Sequence, residues 1–486
     1  MDLRTLLPLA ALGLGAGLPA GPVAAELTLT PCRLTANPAL PSVAAACGQL
    51  SVPLDPNDAD GPHIELFVAR VAALSAEPNP DPVTLLAGGP GQAATDLYPL
   101  VRSAFERVRR DRDIILVDQR GTGRSQPLTC TMPEDQDLEI ADAETVERVT
   151  RQCLAELPVD PRWFTTSIAV TDLDRVRRAL NIEQWNVYGA SYGTRVAQHF
   201  ARQYPQHTRA VILDGVVPTS VSLGPQIAHH AEAALQAIFA RCGENAGCND
   251  TYGDVNAKFT SLVRRLEESP VTLNLRSPLS GEVNEEIFTE LALKAAVRLL
   301  TYSPDTAALL PLFIQQAYDG DWNPLAAQAF MVVQQLEDAI AYGMHNSVVC
   351  AEDVPFFTEL DRQALERTYL GTSQVDALQA ICEYWPRGPI DDNFKTPMQS
   401  TVPALLLSGE FDPITPPTYG SQAAAAFARH KHVVVPGQGH GMATIGCVPR
   451  LMSEFLDELT PETLDIDCVR RQQPAPFFLS PQGPAP

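Results

Sequence analysis

The chain has 486 residues, is 45% hydrophobic and 19% charged, and carries a formal charge of −23. That acidity argues against a nucleic-acid partner, because phosphate binding needs clustered Lys and Arg. The length exceeds what one small core requires, so two domains, or one domain with a large insertion, are expected.

In chain order, residues 1–25 have the form of a secretory signal. Arg4 and the amino terminus are positive, Leu6 to Leu18 is apolar, and Val23-Ala24-Ala25 offers small residues for cleavage. A membrane anchor is the weaker alternative, since Pro8, Pro19 and Pro22 break the short apolar run. No membrane association is expected after signal removal, and the mature protein is expected to be secreted or periplasmic. Ten cysteines, all beyond Ala25, fit disulfides in an oxidising compartment. Spacing alone leaves connectivity open; the preferred hypothesis joins sequence neighbours: Cys32–Cys47, Cys130–Cys153, Cys242–Cys248, Cys350–Cys382 and Cys447–Cys468. There is no CxxC, no HExxH and no His beside a Cys at ligand spacing, so neither a metal nor another cofactor is expected.

From Pro82 to Gly215 short apolar runs alternate with amphipathic stretches. VTLLAGGPG, DIILVDQRGTGRS, WNVYGASYG and RAVILDGVVP read as strands, with helices at DLDRVRRALNI and TRVAQHFARQYP. This is the pattern of a mostly parallel sheet covered on both faces, an α/β fold. Beyond Pro218 the pattern turns helical, beginning with the stripe Ile227, Ala231, Leu235 and Ile238; a hairpin is expected around Ser280-Gly281. Strand patterns resume at VPALLLSGEFDPITPP and HVVVPGQGHG. The expected organisation is a first core segment over 26–218, a helical cap over 219–395, a second core segment over 396–470, and a loose Pro-rich tail over 471–486.

GASYG, Gly189 to Gly193, puts Ser191 between two glycines at a strand-to-helix junction. A nucleophile on a cramped turn needs small neighbours. Asp412 and His440 follow two later strands, and functional groups in such sheets collect at the strands' carboxyl ends. Ser191 is thus the expected nucleophile, His440 its base, and Asp412 the group that orients the imidazole. His430 and His432 stand at the wrong end of the last strand. Asp214 is the competing acid, with capping the turn into the cap as its alternative role. Asp118 is expected to hold Arg120 and its turn. The oxyanion donors are expected to be the backbone N–H groups of Tyr192 and, from AGGPG, Gly89.

The set GGPG, DQRGTGRS, GASYGT, LDGVVP, GEFDPITPP and GQGHG resembles the α/β-hydrolases of the prolyl and tripeptidyl aminopeptidase type. CGENAGCNDTYGD and HNSVVCAEDVP look like the secreted tripeptidyl-aminopeptidase-like branch. The resemblance implies a serine exopeptidase acting on peptides with a free N-terminus. It also carries a departure: Ala87 stands where members often have His before GGPG, which bears on loop geometry and substrate range. Recognising an ammonium group calls for carboxylates, and Glu352 and Asp353 beside Cys350 are the expected pair; a solvated acidic face is the other reading. A carboxylesterase with the same triad is the nearest alternative function. A binding protein on an inactive hydrolase fold is the more remote one.

Overall fold

The computed structural model describes residues 27–36, 41–130, 143–276, 281–358 and 360–484. The signal expected over 1–25 lies outside the described residues. Among the described residues eleven strands form in chain order: β1 Thr30–Leu34, β2 Val43–Pro53, β3 His63–Val71, β4 Val83–Leu86, β5 Ile114–Val117, β6 Trp185–Ala190, β7 Thr208–Asp214, β8 Val271–Arg276, β9 Val283–Phe288, β10 Ala404–Gly409 and β11 His430–Val435. Nine make one sheet in the order β1-β2-β3-β5-β4-β6-β7-β10-β11. From β5 to β11 every neighbour is parallel, while β1, β2 and β3 add an antiparallel edge.

The central strands are short and buried on both faces, as β4 (VTLL), β5 (IILV) and β10 (ALLLSG) show. Such runs need helices above and below, and two apolar clusters fill those layers. One holds Val187, Val196, Phe200, Val211 and Leu406; the other holds Tyr188, Ile212, Leu405, Val433 and Phe455. The sheet pauses after β7 and resumes at β10. Between them lie helices and the β8–β9 hairpin, which together build a third cluster around Leu235, Phe259, Phe288 and Leu310.

All five bridges join sequence neighbours: Cys32–Cys47, Cys130–Cys153, Cys242–Cys248, Cys350–Cys382 and Cys447–Cys468. The C-terminal segment departs from expectation. It is a strap, with Pro474 against Gly437 of the loop after β11 and Phe477 buried in the helical block's core. Arg241 lies over the Phe477 ring at 4.1 Å, and Tyr252 donates a 2.7 Å hydrogen bond to the Phe478 carbonyl. Proline content suggested a loose end; two aromatic anchors override it. Phe477→Ala is expected to destabilise the protein by about 3 kcal/mol, read as a lowered Tm in calorimetry.

Candidate active site

β6 ends at Ala190, and the helix Tyr192–Gln203 begins two residues later. Ser191 alone makes the turn, at φ 54° and ψ −121°. A side chain at positive φ is uncommon, and such strain persists only where its surroundings enforce it. The flanking glycines are sterically required. A Cβ on Gly189 would lie 2.3 Å from the Gly193 carbonyl oxygen, and one on Gly193 would lie 2.3 Å from that of Leu86. The Ser191 N–H donates to the Asp214 carbonyl at 2.8 Å, and Thr194 donates to the Ser191 carbonyl from its N–H and its hydroxyl.

Asp412 and His440 follow the neighbouring strands β10 and β11 and meet directly. His440 Nδ1 lies 2.7 Å from Asp412 Oδ2. The carboxylate is itself fixed: Oδ1 accepts the N–H groups of Ile414 and Thr415, and Oδ2 accepts the Thr415 hydroxyl. Burial works against a charged imidazole, but the Asp412 carboxylate, with Asp214 behind it, outweighs that and raises the His440 pKa above its ordinary value. Thr415 went unrecognised in the sequence. Its signal is the spacing D-x-x-T, in which a carboxylate meets a hydroxyl and an N–H three residues on.

One dipeptide joins serine and histidine. Asp214 supplies the carbonyl that holds Ser191, and Gly215 lies so close to the imidazole that a Cβ there would sit 2.7 Å from His440 Cε1. The glycine loop after β4 closes the other side. A Cβ on Gly88 would come within 3.1 Å of Ser191 Cβ and 3.7 Å of its Oγ. Gly89 and Gly91 have φ of 103° and 112°, which only glycine adopts freely. Beside Ala87 is a cavity of about 10 Å³ bordered by Gln92, Gln119, Arg120 and Asp172.

The helical block reaches both halves of the site. The Tyr302 carbonyl accepts the His440 N–H at 2.7 Å, and its ring meets the imidazole edge-on at 5.3 Å. Ala341 N–H donates to the Gly91 carbonyl at 3.1 Å, and His345 Nδ1 lies 3.3 Å from the Pro90 carbonyl. No local pattern marks Tyr302 or His345, because their partners are far away in sequence.

Four acidic residues depart, wholly or in part, from expectation. Asp214 does not cap the turn into the cap. Its carboxylate accepts the N–H groups of Met442 and Ala443 and the Tyr188 hydroxyl, bracing the loop that carries His440. Burial raises its pKa. Asp118 does hold its turn, through Thr95 and the Arg124 N–H, but Arg120 pairs with Asp172 at 2.6 Å instead. Glu352 and Asp353 are fully buried, so they are not a solvated face. Asp353 takes both terminal nitrogens of Arg195, at 3.0 and 2.8 Å, together with the Leu223 N–H and Lys395 Nζ. Glu352 takes the Thr166 N–H and hydroxyl, with Arg195 at 3.5 Å. This corrects the expectation of a free amine-binding pair: a substrate ammonium would have to displace Arg195, Lys395 or Thr166. Burial pushes Glu352 up to about 7, whereas at Asp353 the cations Arg195 and Lys395 overcome burial and lower the pKa.

Among the described residues no group of three or more His, Cys, Asp or Glu side chains could hold a metal ion, and no helix is long and apolar enough to cross a membrane.

Residues 81–443 match the α/β-hydrolase fold family, and the chain belongs to it. It is 26% identical over 468 residues to Serine protease Hip1 of Mycobacterium tuberculosis (strain ATCC 25618 / H37Rv), covering 88% of each chain. It is 24% identical to Putative hydrolase YuaR of Escherichia coli (strain K12), over 82% of this chain and 83% of that one. Tripeptidyl aminopeptidase of Streptomyces coelicolor is 27% identical over 49% of this chain and 47% of its own length.

Proposed function

We propose that this protein is an exported serine hydrolase that releases residues or short peptides from free peptide N-termini through an acyl-enzyme. The observation that carries the hydrolase reading is Ser191 on a forced turn at positive φ, beside an Asp412–His440 pair at the ends of neighbouring strands. Ser191 Oγ attacks the substrate carbonyl while His440 takes its proton through Nε2, since Nδ1 is engaged by Asp412. The backbone N–H groups of Tyr192 and Gly89 receive the charge that develops on the carbonyl oxygen. Collapse of the tetrahedral species expels the amine, protonated by His440. Water, activated by the same imidazole, then hydrolyses the ester on Ser191.

Two things support action at peptide ends. Relatives named as a serine protease and a tripeptidyl aminopeptidase share long stretches of the chain. The helical block also touches both the His440 loop and the glycine loop, which suits a closed-ended cleft. Export is supported by the five disulfides.

The test is a panel of chromogenic peptides and simple esters, each peptide with its amine free or acetylated. Acetylation is expected to lower kcat/KM by about tenfold or more, since each decade is about 1.4 kcal/mol of lost transition-state binding. Equal cleavage of free and acetylated peptides would remove the exopeptidase reading. Ester turnover without any peptide cleavage would put a carboxylesterase in its place.

A further inference from the structure

Tyr192 has a second connection besides its place after Ser191. Its hydroxyl lies 2.6 Å from Thr166 Oγ1, and Gln119 Nε2 donates to it at 3.1 Å. Thr166 in turn is held at two points by Glu352: its N–H reaches Oε1 at 2.6 Å and its hydroxyl reaches Oε2 at 2.8 Å. Tyr192, Thr166 and Glu352 are all buried.

The directions of these bonds are forced. An ionised carboxylate only accepts, so the Thr166 proton goes to Glu352. Thr166 Oγ1 can then only accept from the Tyr192 hydroxyl. Tyr192 Oη must in turn accept, and Gln119 Nε2 is the donor it meets. The same carboxylate lies at the N-terminus of the helix Thr166–Ala179, where negative charge is favourable. One turn along from Ser191, Arg195 on the nucleophile's own helix binds Asp353, the residue after Glu352. The first turn of that helix is therefore anchored twice to consecutive residues of the helical block.

We propose that Glu352 is a positioning residue: through Thr166 it fixes the Tyr192 side chain, and with it the backbone N–H and the turn that present Ser191 to substrate. This rests on the reading of Ser191 as the nucleophile. Oxyanion donors act through geometry set in advance, so a small displacement of Tyr192 is felt in the transition state more than in ground-state binding. The titratable groups facing Glu352 are Arg195 and Tyr192 on the nucleophile's helix, neighbouring Asp353, and Lys395 on the segment leading to β10. Burial outweighs Arg195 and lifts the Glu352 pKa to about 7. Protonated Glu352 can donate as well as accept, which releases the forced direction of the chain. Activity is thus favoured above that value.

The experiment measures kcat and KM across pH for Thr166→Val, Thr166→Ser, Tyr192→Phe, Glu352→Gln and the Thr166→Val/Tyr192→Phe double variant. Thr166→Val and Tyr192→Phe are expected to lower kcat about tenfold with KM within about twofold. The double variant should fall no further than its worse parent, because both break one chain. Thr166→Ser, which keeps the N–H and the hydroxyl, restores kcat. Glu352→Gln removes the step in kcat near pH 7 and retains the limb due to His440. Tyr192→Phe is nearly isosteric, so it carries the test even where Glu352→Gln does not fold. Unchanged kcat in both Thr166→Val and Tyr192→Phe, or additive losses in the double variant, would overturn the proposal. A fluorophosphonate probe runs alongside: labelling that persists in Ser191→Ala overturns the nucleophile reading itself, a failure distinct from loss of the relay.

Discussion

If Ser191 is the nucleophile, Ser191→Ala is expected to lower kcat by about five to six orders of magnitude, because it removes the atom that the base activates and that carries the acyl group. The fold should survive the change. The Ser191 N–H bond to the Asp214 carbonyl and the Thr194 bonds to the Ser191 carbonyl are made by the backbone and are retained. Alanine meets the same strain at φ 54° that serine already bears, so the stability change should stay under about 1 kcal/mol. Residual activity within a hundredfold of wild type, in protein with an unchanged Tm, would place the nucleophile elsewhere.

Asp412→Asn is expected to lower kcat by about four orders of magnitude. An ionised carboxylate only accepts, so Asp412 favours the proton on His440 Nδ1 and leaves Nε2 unprotonated for the proposed role as base. An asparagine amide can turn its NH2 toward the ring and favour the tautomer protonated on Nε2, which cannot act as base. The pH dependence adds a second sign. Catalysis needs neutral His440, and the wild-type pKa is raised above its ordinary 6.5. Activity should therefore fall as pH drops through a value above 6.5. Without the anion, burial of the imidazole dominates, and the acid limb should move to lower pH. A rate loss under tenfold, or an acid limb that stays in place, would make Asp412 a structural carboxylate.

Much of this architecture was legible in the sequence because it is local. β4, β5, β6, β7, β10 and β11 are largely apolar runs, the helix Ile227–Glu244 carries a regular stripe, and β8 and β9 pair on either side of the expected hairpin position. The approach of Asp412 to His440 follows from their places after neighbouring parallel strands. The antiparallel edge was not read out, because β2 mixes buried and exposed positions rather than forming one apolar run. The misread acids share one cause. Glu352 reads as an acid free to take a substrate amine until Arg195, 157 residues away, is brought against it, and Asp214 finds Met442 across 228 residues. Burial and partners of that kind are set by the closed fold, and residue type alone does not report them. The strap at Phe477 was hidden the same way, by prolines that describe its backbone and not its anchor.

The most direct measurement is mass-spectrometric mapping of the protein after reaction with a fluorophosphonate probe. The expected result is a single adduct on the peptide containing Gly189 to Gly193, carried by Ser191, absent from Ser191→Ala and strongly slowed in Asp412→Asn. An adduct on another residue, or folded, disulfide-intact protein that takes up no probe, would contradict the assignment of a serine nucleophile at this turn.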